Sequence, residues 1–212
     1  LLDTSASVQG RVLADLKKAA TAVIDSLEPG DRAAVMTFSG SFATECEWSG
    51  DRRLLRDAIS RVEASWATAL HDAAYAALTL RDATPNRALV IAFSDGADTA
   101  SWLPGERVVE LAKRADAVFY AVTTDASHGT RPGFRVDFSS GIQAPVPKVS
   151  GSVLLESFLD ALAHETGGEV LRANGSEPLR DVFVSVMQDF RERYLLTYTP
   201  TGVDGTGWHP IT

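Results

Sequence analysis

The chain has 212 residues, 45% of them apolar and 23% charged, with 20 basic against 28 acidic side chains and a formal net charge of −8. That length fits one α/β domain or two small ones, the apolar fraction excludes a disordered chain, and an acidic balance with no Lys/Arg cluster sets nucleic acid aside as a partner. The single Cys46 forms neither an internal disulfide nor a cysteine zinc site, and no apolar run approaches the roughly 20 residues that a bilayer crossing needs.

The chain opens Leu1-Leu2-Asp3, and the two leucines read as the end of a strand that starts upstream. After Ser7 the apolar positions Leu13, Leu16, Ala20, Ile24 and Leu27 recur at three or four residues, a helical period that Glu28-Pro29-Gly30-Asp31 ends. Ala33 to Phe38 reads as a strand and Phe42 to Trp48 as another. The Ser39-Gly40-Ser41 link is too short for a parallel crossover, so the two make an antiparallel hairpin and the second strand is an edge. Asp51 caps a helix with Leu55, Ala58, Ile59 and Val62 on one face, and an alanine-rich helix runs from Ala69 to Leu80. Ala88 to Phe93 is uninterruptedly apolar, as a parallel strand buried on both faces requires, and stops at Ser94-Asp95-Gly96. Pro104 suits the first turn of a helix through Val108, Leu111 and Ala115, and Ala117 to Val122 is the next buried strand.

Gly, Pro and Ser accumulate over 124–152 and periodicity vanishes, which predicts an inserted loop on the rim of the sheet. A helix through Leu154, Phe158 and Leu162 follows, closed by Gly167-Gly168. Then come a short strand at Glu169 to Leu171, a helix from Leu179 to Arg193, and a strand and tail over 194–212. There is no internal repeat and no second core. The fold expected over 1–212 is a single three-layer α/β/α domain with a doubly wound, mostly parallel sheet and one antiparallel edge strand.

In such a sheet, ligands bind outside the carboxyl ends of the strands. Asp3, Ser5 and Ser7 follow the first strand, Asp95 follows the central buried run, and Thr68 opens the alanine-rich helix. Two carboxylates and three hydroxyls, without nitrogen or sulfur, suit a hard cation such as Mg²⁺, with Mn²⁺ or Ca²⁺ as alternatives. Neutral hydroxyls leave such an ion under-neutralised, so an outside Asp or Glu can complete the shell. Alone, Asp-x-Ser-x-Ser is ordinarily an Asx-turn with a helix cap, and Asp95-Gly96 an ordinary turn. Asp72 reads as a first-turn residue of its helix, Asp98 as a turn or cap former, and His71 as a packed or hydrogen-bonded histidine.

Asp3-x-Ser5-x-Ser7, Thr68 and Asp95-Gly96 resemble, in order and spacing, the metal-ion-dependent adhesion site of the von Willebrand factor type A domain family. The resemblance covers roughly Leu1 to Arg193, and the end of the chain is similar to a bacterial, often exported subgroup. Ser94 departs from it, since many relatives carry threonine there. The resemblance implies hydroxyl ligands at Ser5, Ser7 and Thr68, with Asp3 and Asp95 acting directly or through water. It also implies an extracytoplasmic, non-enzymatic module that binds a protein carboxylate through the ion. The competing class is a metal-dependent hydrolase or phosphatase on a similar sheet. Against it, that chemistry wants a second aspartate where Ser5 stands, and no phosphate loop or nucleophile elbow is present.

Overall fold

The structure, a computed structural model, describes residues 1–80, 88–94, 98–124, 151–173 and 179–192. The chain starts with β1 (Leu2–Asp3), a 3₁₀ turn at Ala6–Val8 and α1 (Arg11–Ser26), followed by the hairpin β2 (Ala33–Phe38) and β3 (Phe42–Ser49). Helices α2 (Arg52–Arg61) and α3 (Leu70–Thr79) lead to β4 (Ala88–Phe93), α4 (Gly105–Ala112) and β5 (Ala117–Thr124). The described residues end with α5 (Gly151–Thr166), β6 (Val170–Ala173) and α6 (Leu179–Arg191).

The strands lie in the order β3-β2-β1-β4-β5-β6, all parallel except the β2/β3 pair. This is the expected three-layer, doubly wound sheet. The order reverses at β1, where Leu2 pairs with Thr37 of β2 on one side and Phe93 of β4 on the other, so the switch point lies at Asp3 and the end of β4. The edge strand β3 carries Glu45 and Glu47 and is largely exposed, which discourages pairing with another sheet. β4 and β5 are in full register over six pairs, Ala88 with Ala117 through Phe93 with Val122, as their unbroken apolar runs require.

One core joins α1, α2 and α6 to a face of the sheet through Leu16, Ile24, Leu55, Ile59 and Phe183. The other joins α3, α4 and α5 to the opposite face through Leu70, Ala74, Val108, Phe119 and Leu162. Small alanines on α3 let it lie close to the sheet, and Gly168 does the same after α5: a Cβ there would stand 1.9 Å from the Phe119 carbonyl oxygen. Past the amino end of β1, β2 and β4 face each other across an apolar cavity of about 610 Å³ that includes Leu1, Val35 and Leu89 in its lining. Among the described residues no helix is long and apolar enough to cross a membrane.

Some boundaries differ from the sequence reading. The first helix starts only at Arg11, because the loop after Asp3 folds into a 3₁₀ turn and Gly10 sits at φ 81°, which favours glycine. Pro104 stands just before α4 rather than inside it, with extended backbone at ψ 139°. Thr124 belongs to β5, and Gly151 and Ser152 to α5. The remaining residues of the expected 124–152 insertion, 125–150, and the whole 194–212 tail lie outside the described residues.

Candidate metal centre

The loop leaving β1 alternates in direction. Thr4 turns to β2, donating from both its N–H (2.8 Å) and its Oγ1 (2.9 Å) to the Phe38 carbonyl. Residues 3, 5 and 7 interact with one another instead. Asp3 has no exposed surface, and a buried carboxylate is tolerable only when donors replace its water. The Ser5 N–H donates to Asp3 Oδ1 at 2.8 Å, and the Ser94 hydroxyl, arriving from the end of β4, donates to Oδ2 at 2.9 Å. The extended backbone of Ser5 and the 3₁₀ turn that follows bring Ser5 Oγ and Ser7 Oγ to 2.8 Å from each other. The period-two spacing of the motif therefore gathers one carboxylate and two hydroxyls on one side of the loop.

Thr68 comes from the segment between α2 and α3, which is stitched to its neighbours through backbone groups. Ser65 N–H donates to the Thr4 carbonyl at 2.6 Å, Gly40 N–H to the Trp66 carbonyl at 2.9 Å, and Ala69 N–H to the Ser39 carbonyl at 2.5 Å. On its other side, Thr68 N–H donates to Thr99 Oγ1 at 3.0 Å, and the Thr68 carbonyl accepts from the N–H groups of Thr99 (2.8 Å) and Ala100 (3.0 Å). Ala67 is held at φ 60°, the left-handed region that a residue with a Cβ avoids; such strain persists only where the surroundings over-determine the backbone. The outcome is a Thr68 side chain only 5% exposed whose hydroxyl, among the described residues, makes no hydrogen bond. Thr68 Oγ1 is not among the buried unpaired atoms of the described residues, so it keeps access to solvent and is a neutral oxygen that a cation can use.

The structure thus brings Asp3, Ser5 and Ser7 together and ties the Thr68 segment to the same loop; Asp95 lies outside the described residues. No cluster of three or more His, Cys, Asp and Glu forms among the described residues, so the donor set here is hydroxyl-rich. Oxygen donors of this kind fit a hard divalent ion and are poor ligands for soft ones.

Nearby acidic groups are used for construction. Asp98 Oδ1 accepts from the His71 N–H (3.3 Å) and from Ser101 Oγ (2.5 Å), capping α3 from another loop because Ala69 offers no side-chain cap. Asp72 holds the backbone N–H groups of Trp102 (3.0 Å) and Leu103 (2.9 Å). His71 stands with Nδ1 3.1 Å from the Leu103 carbonyl and its ring 4.3 Å from that of Phe158, a packed and hydrogen-bonded position. The Cys46 thiol is pushed up by burial and by the Glu47 charge, which disfavours its thiolate. Sequence reasoning missed the part played by Ser94. Its position directly after a buried strand next to β1 was the available signal.

Residues 1–97 match the model of the von Willebrand factor type A domain family. No curated protein sequence matches the chain. Among solved structures, an aerotolerance-related membrane protein from Bacteroides fragilis superposes with a TM-score of 0.64 at 16% identity, covering 91% of this chain and 96% of that one. A von Willebrand factor type A protein from Catenulispora acidiphila gives 0.66 at 17% identity, covering 87% of this chain and 40% of its own. Proximal thread matrix protein 1 from the mussel byssus, with a zinc-occupied MIDAS motif, gives 0.63 at 16% identity over 89% of this chain and 44% of its own. The fold is that of the type A domain.

Proposed function

We propose that the chain is a type A domain that holds one divalent cation at Asp3, Ser5, Ser7, Thr68 and Asp95 and binds a protein through it, the partner's Asp or Glu completing the coordination. Mg²⁺ is the favoured ion, with Mn²⁺ or Ca²⁺ as alternatives. The observation that carries this reading is the pair of hydroxyls, Ser5 Oγ and Ser7 Oγ, 2.8 Å apart beside the fully buried Asp3 carboxylate. The family match over 1–97 and the metal-bearing mussel neighbour support it.

In this reading each residue has a distinct task. Asp3 supplies negative charge and orients Ser5 through the Ser5 N–H, while Ser94 fixes the carboxylate's rotamer. Ser5, Ser7 and Thr68 supply neutral oxygens, so the bound ion keeps enough positive charge to attract an external carboxylate. The domain acts by binding rather than by turnover, and the Bacteroides membrane-protein neighbour supports an extracytoplasmic setting.

Calorimetric titration with Mg²⁺ and Mn²⁺ tests the proposal on wild type and on Ser5→Ala/Ser7→Ala. The wild type is expected to bind one ion per chain and the double variant at least about tenfold more weakly. Equal affinities would remove the hydroxyl pair from the site.

A further inference from the structure

The loops around the candidate centre share a property that metal binding does not require. None of the residues 4–10, 39–44, 64–70 and 99–105 is Asp, Glu, Lys, Arg or His, in a chain where 23% of residues are charged. Asp3, Glu63 and Asp98 are among the residues that border these stretches; Asp98 is engaged by His71 N–H and Ser101 Oγ. On this uncharged rim stand two of the most exposed aromatic side chains of the described residues, Trp66 at 82% and Trp102 at 94%, with Phe42 at 48% on the adjoining hairpin.

Both tryptophans lie on segments tied to Thr68. Trp66 precedes it by two residues, and Trp102 follows by two the Ala100 whose N–H donates to the Thr68 carbonyl at 3.0 Å. Both backbones are clamped, Trp66 through its carbonyl to Gly40 N–H at 2.9 Å and Trp102 through its N–H to Asp72 Oδ2 at 3.0 Å. The strained Ala67 between Trp66 and Thr68 belongs to the same clamp. Large aromatic side chains on a pre-organised backbone have the character of interface anchors, since little ordering remains to be done on binding.

From this rim we propose, resting on the reading above, that Trp66 and Trp102 are specificity-determining residues selecting a partner segment in which a single Asp or Glu is flanked by uncharged, apolar residues. A second charge beside that acid would be desolvated by the indoles, with no charged side chain within 4–10, 39–44, 64–70 and 99–105 to answer it, and a buried unpaired charge is strongly unfavourable. The gain of a flanking cation over an exposed indole face is smaller than that penalty. An apolar flank instead covers the tryptophans and seals the ion from water. The rim thus discriminates by repelling the wrong sequences as well as by gripping the right one.

The test uses the whole 212-residue chain in millimolar Mg²⁺ and three capped peptide probes that share a central glutamate and differ in its flanks: leucine, lysine or aspartate on both sides. Binding is read by fluorescence anisotropy for wild type and for Trp66→Ser/Trp102→Ser, whose positions are too exposed to carry the fold. The leucine-flanked peptide is expected to bind wild type roughly tenfold more tightly than either charged analogue, and to lose that advantage in the double variant. Mg²⁺-dependent binding that favours a charged flank, or a preference that survives in the double variant, overturns this proposal and leaves the metal site standing. Calorimetric Mg²⁺ uptake with no peptide bound overturns both this proposal and the partner-carboxylate reading, and absence of Mg²⁺ uptake overturns the metal site itself.

Discussion

Asp3 is the residue around which the centre is built, and two of its partners come from different directions. One, Ser5 N–H, is local and legible in the sequence, since Asp-x-Ser is a common Asx-turn pattern. The other, Ser94 Oγ, is 91 residues away and meets Asp3 only because β1 and β4 are neighbours. The spacing of the motif was readable for the same reason that it works: residues 3, 5 and 7 share a side of an extended loop. The clamp was not, because it depends on tertiary contact, as does the strained φ of Ala67. Removing the clamp withdraws a charge-assisted hydrogen bond from a fully buried carboxylate, and such losses cost about 1–3 kcal/mol. Ser94→Ala is therefore expected to lower unfolding stability by about that amount in urea titrations, and to weaken cation binding, whereas Ser94→Thr preserves both. A Ser94→Ala protein as stable as wild type would remove the clamp from the account.

At the scale of elements, the strands were the most legible part. Ala88–Phe93 and Ala117–Val122 are unbroken apolar runs because both faces are covered, and their β-branched and aromatic residues set them apart from the equally unbroken but alanine-rich Ala73–Leu78 of α3. Helix starts were less legible, since Gly10 and Pro104 act through backbone conformations that the surrounding loops impose. The docking of α6 was invisible for a related reason. Its last residue, Arg191, reaches back more than 150 positions, to the Ser26 carbonyl at 3.0 Å and Asp31 Oδ2 at 2.8 Å. Asp31 is held below the ordinary carboxylate range, first by the Glu28 N–H that donates to it at 2.8 Å and then by the Arg191 guanidinium. A depressed carboxyl contributes stability that is fully present above its unfolded-state value and lost as pH falls through the lowered folded value. Asp31→Asn should therefore melt below wild type at neutral pH, with the gap in circular-dichroism midpoints closing as the solution is acidified below the usual carboxylate range. A gap independent of pH would show that the ionised form of Asp31 contributes nothing. The pair is partly exposed, so the effect is modest and reduced by salt.

For the whole molecule, composition predicted the class but not the distribution of charge. Lys17, Lys18, Arg56 and Arg180, dispersed in sequence, line one groove that α1 and α2 share with the start of α6, and Asp25 answers Arg56 there. Residues 4–10, 39–44, 64–70 and 99–105 carry none of that charge. These stretches are uncharged in a chain of net charge −8, and in the proposed reading their selectivity rests on hydroxyls and indoles. In the proposed site Thr68 meets the cation through its hydroxyl, which is not among the buried unpaired atoms of the described residues. Thr68→Val keeps the shape and deletes only that oxygen, and because the hydroxyl makes no hydrogen bond among the described residues, its loss should leave the fold as stable as before. The most direct measurement is a Mn²⁺ titration followed by electron paramagnetic resonance on wild type and Thr68→Val. One site per chain in wild type, weakened at least about tenfold in Thr68→Val at an unchanged unfolding midpoint, is the predicted result; equal affinity in the two proteins, or no bound ion in either, would contradict it.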